Sequence, residues 1–310
     1  MPAYLGLDLG GTQIRSLVAE AGERPRVLAR DTRPTPRTGP DDVVAQIAAS
    51  ARRSMSDAGL TTSDVIAGCC SAPGPLDHRT GIVHQAPNLV GMVEFPLADR
   101  LSRALDGTRV YVDHDTKVAA IGEGLVGAAI GVHDFVYVTV STGIGGAVVN
   151  AGRLLRGVGG TAGEIGHWPV ALEGPRCGCG SYGCVESFAS GGDLAAQFGT
   201  PSAEAVFAAA ERGDRRAVTL VERAAAALEA LGIGLVNVFN PSLIVVGGSV
   251  AQHQPEHVLG SMRRGIATRA FRVPAQQVHI VPPALGADVS LVGAVLAARE
   301  RAAGRGEWFL

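Results

Sequence analysis

Three cysteines, Cys177, Cys179 and Cys184, fall within eight positions, and His167 lies ten residues before the first of them. Three thiolates and one imidazole make a closed tetrahedral shell for zinc, a shell that is structural because no position is left open for a reactant. Gly178, Gly180 and Gly183 separate the cysteines and let a tight loop bend around an ion. Free thiols, or one disulfide with a cysteine to spare, are the competing readings. A chain with no export signal argues against the disulfide. Two carboxylates, Glu164 and Glu186, bracket the set, either as ordinary solvated charge or as acceptors of hydroxyl hydrogens. The other two cysteines, Cys69 and Cys70, sit in an apolar run and read as core thiols.

A second kind of chemistry is suggested by a repeated phrase. Residues 3–7 are apolar, then come Asp8-Leu9-Gly10-Gly11-Thr12, then a second apolar run over 14–19. Two strands joined by a glycine turn would expose backbone N–H groups and the Thr12 hydroxyl, which suit a phosphate. A plain hairpin turn explains the same residues, except that Asp8 would repel a phosphate unless a cation such as Mg²⁺ intervened. The phrase returns as a strand over 135–140, the turn Ser141-Thr142-Gly143-Ile144-Gly145-Gly146, and a strand continuing over 147–149. Two such turns in corresponding places point to a nucleotide more strongly than one. A third strand-to-glycine passage ends at Gly247 and Gly248, where a simple strand-to-helix connection is the alternative. Asp115 precedes an Ala-rich helical stretch, so it reads as an N-cap. A carboxylate at a helix start can also take a proton from an attacking hydroxyl.

GEIGH at 163–167 followed by CGCGSYGCVE at 177–186 resembles the signature of the ROK family of sugar kinases, and the resemblance covers nearly the whole chain. It implies an α/β, two-lobed actin-like ATPase (ribonuclease H-like) fold with a central cleft and a zinc-bound loop. The smaller lobe would be residues 1–113 plus about 290–310, and the larger would be 114–289 with the zinc loop at 163–186. It implies ATP and Mg²⁺ as well as structural Zn²⁺. Asp8, Gly10, Gly11, Thr12, Thr142, Gly143, Gly145 and Gly146 would serve the phosphates, with Gly247 and Gly248 beside the adenosine. Asp115 would be the general base, and Asn88, His114, Glu164, His167 and Glu186 would meet the sugar, His167 also binding zinc. The implied reaction is phosphorylation of a hexose, glucose first, at its primary hydroxyl. Kinases for N-acetylglucosamine, N-acetylmannosamine or fructose are the alternatives. The family usually carries asparagine before the catalytic aspartate. His114 departs from that pattern, which bears on which sugar fits, because imidazole places its donor and acceptor differently from an amide. The family also holds sugar-sensing transcriptional regulators with a helix-turn-helix ahead of the kinase-like body; here the first hairpin starts within a few residues of Met1. Family members commonly form homodimers.

The elements that must position these residues follow from pattern and composition. At 310 residues the chain can hold two cores. A formal net charge of -2 offers no basic footprint for nucleic acid. No run of about 20 uncharged apolar residues could span a membrane, and a cytoplasmic protein is expected. Residues 32–40, rich in Pro, Thr and Arg, read as a surface loop, and Asp41 as the cap of a helix over 42–59. Further helices are expected over 202–212, 215–238, 258–269 and 289–303, and strands over 65–70, 110–112 and 278–281.

Overall fold

A computed structural model describes residues 2–20, 22–86 and 89–305. Internal packing divides the chain into two compact units. One comprises Met1–Gly131, Arg156–Ala162 and Ala284–Leu310, and the other Val132–Leu155 and Gly163–Pro283.

The first unit begins with β1 (Ala3–Leu9), β2 (Gln13–Glu20) and β3 (Arg26–Pro34), an antiparallel meander. Next come α1 (Pro40–Asp57), β4 (Val65–Ala72) and the short strands β5 (Leu76–Asp77), β6 (Ile82–Gln85) and β7 (Val93–Phe95). The segment closes with α2 (Leu97–Ala104), β8 (Val110–His114) and α3 (Asp115–Val126). The main sheet has the order β3-β2-β1-β4-β8, with β4 and β8 parallel to β1. Residues of β1 are buried almost without interruption, as a strand with neighbours on both edges and helices over the sheet requires. The helix Val289–Ala302 packs on β1 and α3.

The second unit repeats this plan. Its elements are β9 (Phe135–Val140), β10 (Ile144–Asn150), β11 (Arg153–Leu154), α4 (Val185–Ala189), α5 (Gly191–Phe198), α6 (Ala203–Glu211) and α7 (Arg215–Phe239). After these come β12 (Leu243–Gly247), α8 (Ser249–His253), α9 (Ser261–Arg269), α10 (Arg272–Gln277) and β13 (His279–Val281). The sheet order is β11-β10-β9-β12-β13, with β9 and β10 antiparallel and β12 and β13 parallel to β9. That is the same succession of antiparallel hairpin and parallel additions as in the first unit. The twice-repeated strand–glycine–strand phrase is therefore the central hairpin of each sheet. The long α7 is started by Asp214, whose carboxylate accepts the backbone N–H groups of Arg216 and Ala217, and stopped by Asn240 in the left-handed region.

Two local expectations are corrected. Residues 32–34 belong to β3 rather than to a loop, because an edge strand paired only with β2 tolerates Pro and Arg on its free side. Asp41 does not cap α1. The helix starts at Pro40 behind Gly39 with no side-chain cap, and Asp41 and Asp42 lie in the first turn, where negative charge suits the helix dipole.

Candidate functional site

His167, Cys177, Cys179 and Cys184 are brought together in the second unit. His167 ends a 3₁₀ turn (Ile165–His167), and Cys184 is the N-cap of α4. The loop between them is folded back by the bridges Pro169–Cys184 and Arg176–Tyr182. Gly180, with φ of 94°, gives the knuckle a left-handed step that a side chain would resist, and its N–H closes on the Cys177 carbonyl at 3.0 Å. Gly178 has no such need, since a Cβ there would meet nothing. The four ligand atoms all lie within 4.8 Å of one another. Cys179 Sγ is 3.8 Å from Cys184 Sγ, and Cys177 Sγ is 3.5 Å from His167 Nδ1. A tetrahedron with Zn–S of about 2.3 Å and Zn–N of about 2.0 Å has S···S edges of about 3.8 Å and S···N edges of about 3.5 Å. The donor set thus fits zinc in both chemistry and spacing. Burial pushes the Cys177 thiol up to about 12 and raises Cys184, while a backbone hydrogen bond from Ser181 draws Cys179 down. A dication is the charge that could hold all three as thiolates.

The second glycine turn adjoins this loop. Gly191 N–H donates to the Ser141 carbonyl at 2.7 Å and Gly192 N–H to the Thr142 carbonyl at 3.0 Å, so the start of α5 is fastened to the turn. Ser141 Oγ and Ser249 Oγ are 3.0 Å apart. Around them opens a cavity of about 210 Å³ lined by Thr142, Gly192, Glu204, Phe207, Ser249 and Gln254 among others. Of the residues expected at a nucleotide, Thr142 lines it. Gly247 and Gly248 do not; a Cβ on Gly247 would lie 2.9 Å from the Tyr137 hydroxyl, and Gly248 crowds the end of β9. The sequence reading missed Gly191, Gly192, Ser249 and Gln254. The Ser-Gly-Gly run at 190–192, ahead of a helix, was the available signal.

In the first unit the turn after β1 is held by Gly10 N–H to the Gln13 carbonyl at 2.9 Å, and by Thr35, whose hydroxyl reaches the Gly10 carbonyl at 2.7 Å. Gly11 and Thr12 lie in this turn, and the Thr12 carbonyl accepts the Thr35 N–H at 3.0 Å. Asp8, 14% exposed, pairs with Arg15 through Nε at 3.0 Å and Nη2 at 2.7 Å. A guanidinium therefore already supplies the counter-charge for which the sequence reading invoked Mg²⁺. Burial nevertheless outweighs Arg15 and raises the Asp8 pKa, with the nearby Asp115 adding to the rise.

Asp115 is the first residue of α3, with His114 in the N-cap position. Its Oδ1 accepts the Thr116 backbone N–H at 2.6 Å and lies 3.0 Å from His114 Nδ1, which also reaches Thr116 Oγ1 at 2.8 Å. Burial is the largest single influence and raises this carboxyl, but His114, Thr116 and Lys117 together outweigh it and the pKa is lowered, with the side chain still 45% exposed. A partly exposed carboxylate, ionised at neutral pH and fixed at one oxygen, can accept a proton at the other. His114 is 12% exposed. Behind them Asp113 is buried against Arg156, which donates from Nη1 at 2.9 Å and Nη2 at 2.7 Å, and Asp113 Oδ1 takes the His114 N–H at 2.9 Å. Neither member of that pair was expected from sequence.

Glu164 is half-buried at the start of the 3₁₀ turn and gives its carbonyl to His167 N–H at 3.1 Å. Glu186 accepts the Ile144 backbone N–H at 2.9 Å. Asn88 lies outside the described residues. Among the described residues no helix is long and apolar enough to cross a membrane.

Known sugar kinases resemble this chain over nearly its whole length. The chain is 32% identical over 320 residues to the glucokinase of Thermotoga maritima, covering 97% of this chain and 98% of that one. It is also 32% identical over 304 residues to the N-acetylmannosamine kinase of Citrobacter koseri, covering 95% and 98%. The crystal structure of a ROK family glucokinase from Streptomyces griseus in complex with glucose and AMPPNP superposes with a TM-score of 0.79 at 30% identity, covering 96% of this chain and 99% of that one. The fold is accordingly the α/β, actin-like ATPase fold of sugar kinases. With two sheets of one plan, a cysteine–histidine cluster beside a glycine turn, and the ROK family model matching residues 4–301, the chain belongs to the ROK family.

Proposed function

We propose that this sugar kinase transfers the γ-phosphoryl group of ATP to the primary hydroxyl of a hexose, with glucose as the preferred acceptor and glucose 6-phosphate as product. The observation that carries the proposal is Asp115. Its carboxylate is ionised at neutral pH, and Thr116 and His114 fix one oxygen, leaving the side chain accessible to a hydroxyl proton. General-base help of this kind contributes about 10²–10⁴-fold. Positioning must supply the rest, because phosphoryl transfer asks a protein mainly for alignment and charge stabilisation. The Thr142–Gly146 turn and its adjoining cavity suit the nucleotide. Asp8, Gly10, Gly11 and Thr12 are assigned to the phosphates, with Arg15 as an added cation. Mg²⁺, when bound with ATP, would neutralise phosphate charge. Zn²⁺ on His167, Cys177, Cys179 and Cys184 would be structural, fixing the loop from which Glu164, His167 and Glu186 are assigned to sugar hydroxyls.

A second reading, a kinase for N-acetylmannosamine, is favoured by the equal identity to that enzyme and by His114 standing where the family resemblance implies asparagine. An ADP-coupled assay over glucose, mannose, fructose, N-acetylglucosamine and N-acetylmannosamine separates the readings. The first reading expects the highest kcat/KM on glucose. A preference of ten-fold or more for N-acetylmannosamine would establish the second in its place.

A further inference from the structure

The segment 163–167 and the turn 141–146 are built into one another. A Cβ on Gly166 would overlap the Ile144 carbonyl oxygen, and one on Gly146 would overlap the Ile165 side chain. One on Gly163 would sit 3.0 Å from the Gly146 carbonyl oxygen. Glu186 closes this joint. Its Oε2 takes the Ile144 N–H, and a Cβ on Gly143 would lie 2.8 Å from that same oxygen. Its Oε1 lies 3.8 Å from His167 Nδ1 and 4.0 Å from Cys177 Sγ. One carboxylate, 20% exposed, thus holds the turn with one oxygen and faces the thiolate–imidazole set with the other. It sits in the first turn of α4, two residues after Cys184, so the cluster also constrains its backbone position.

An anionic group beside a turn that receives phosphate would be repulsive if it faced the ligand. Here its charge is directed to a backbone N–H and toward the metal ligands. An N–H donated to a carboxylate is about twice as strong as a neutral hydrogen bond, which makes Glu186 a firm attachment of the turn. We infer that Glu186 is a positioning residue for the nucleotide: it holds the backbone of 142–145 in its receptive shape and couples that shape to the thiolate cluster. This rests on the assignment of the turn to the nucleotide and goes beyond a role as sugar acceptor.

The test is ADP binding to the full-length protein, by calorimetry with Mg²⁺ present and sugar absent, for wild type, Glu186→Ala and Glu186→Gln. Removing a charge-assisted hydrogen bond should weaken ADP about ten-fold in the alanine variant. The glutamine variant, which keeps an acceptor for Ile144, should fall between the two. A merely structural role would lower the melting temperature without moving the dissociation constant. Should Glu186→Ala not fold, Glu186→Gln decides on the same measurement. Constants within two-fold of wild type in the folded variants, with only sugar affinity changed, would overturn the inference alone. Wild-type protein that binds no ADP would overturn the nucleotide assignment together with it.

Discussion

Replacing Asp113 by Asn isolates a charge at the base of the proposed catalytic aspartate. Asp113 is 1% exposed and Arg156 11%, and both guanidinium contacts are of hydrogen-bond length. Burial pushes the carboxyl up, but the Arg156 charge and hydrogen bonds, with Arg301 and His78 beyond, bring it down to about 2 from 3.8. That drop corresponds to about 2 kcal/mol of stability. Asparagine matches the aspartate in shape and can still accept the His114 N–H, yet it takes away the buried carboxylate charge that Arg156 meets through two hydrogen bonds. Removing one member of a buried pair costs about 3–5 kcal/mol; with one acceptor kept, we expect about 3 kcal/mol. The folded pKa lies below the unfolded one. The wild-type advantage is therefore complete above about pH 4 and drains away as pH falls from 3.8 through about 2. Urea unfolding of wild type and Asp113→Asn at steps from pH 7 down to pH 3 reads both quantities. A difference below about 0.5 kcal/mol at pH 7, or one that stays constant down to pH 3, would refute the reasoning.

Asp115→Asn should lower the transfer rate by about 10²–10⁴-fold while glucose still binds by calorimetry; a variant keeping most of its rate removes Asp115 as base. Native protein should carry about one zinc per chain by elemental analysis, and Cys179→Ser should lose metal and melting temperature together. Zinc-free native protein of full stability would contradict that expectation. His114→Asn should change the ratio of rates among hexoses, because an amide replaces the ring that now engages Asp115 and Thr116. An unchanged profile makes His114 a bystander to specificity.

What could be read from the sequence was mostly local. The strand–glycine–strand phrase returns in both units because a central hairpin is contiguous in the chain, and the metal set is legible because its spacing is short. The Asp8–Arg15 pair was within reach, since the hairpin register places the two residues opposite each other. Asp113 and Arg156 are 43 residues apart, and no periodicity links them. Edge strand β3 was hidden by Pro and Arg, residues that an interior strand would not tolerate but a half-solvated one does. Gly247 and Gly248 show what a local pattern cannot separate. A glycine after a strand is expected at a ligand turn, and packing against Tyr137 and β9 asks for glycine at the same two positions.

The crowding of Gly146 and Gly166 has an evolutionary consequence. The Ile144 carbonyl bars a side chain at Gly166, and Ile165 with the Tyr137 carbonyl crowds one at Gly146, whether or not any phosphate is ever transferred. A descendant that abandoned catalysis but kept its cysteine loop would still be pressed to retain both glycines. Survival of that part of the motif is thus a poor witness to enzymatic competence; if Asp115 is the base proposed above, its loss would be the better sign of a pensioned-off copy.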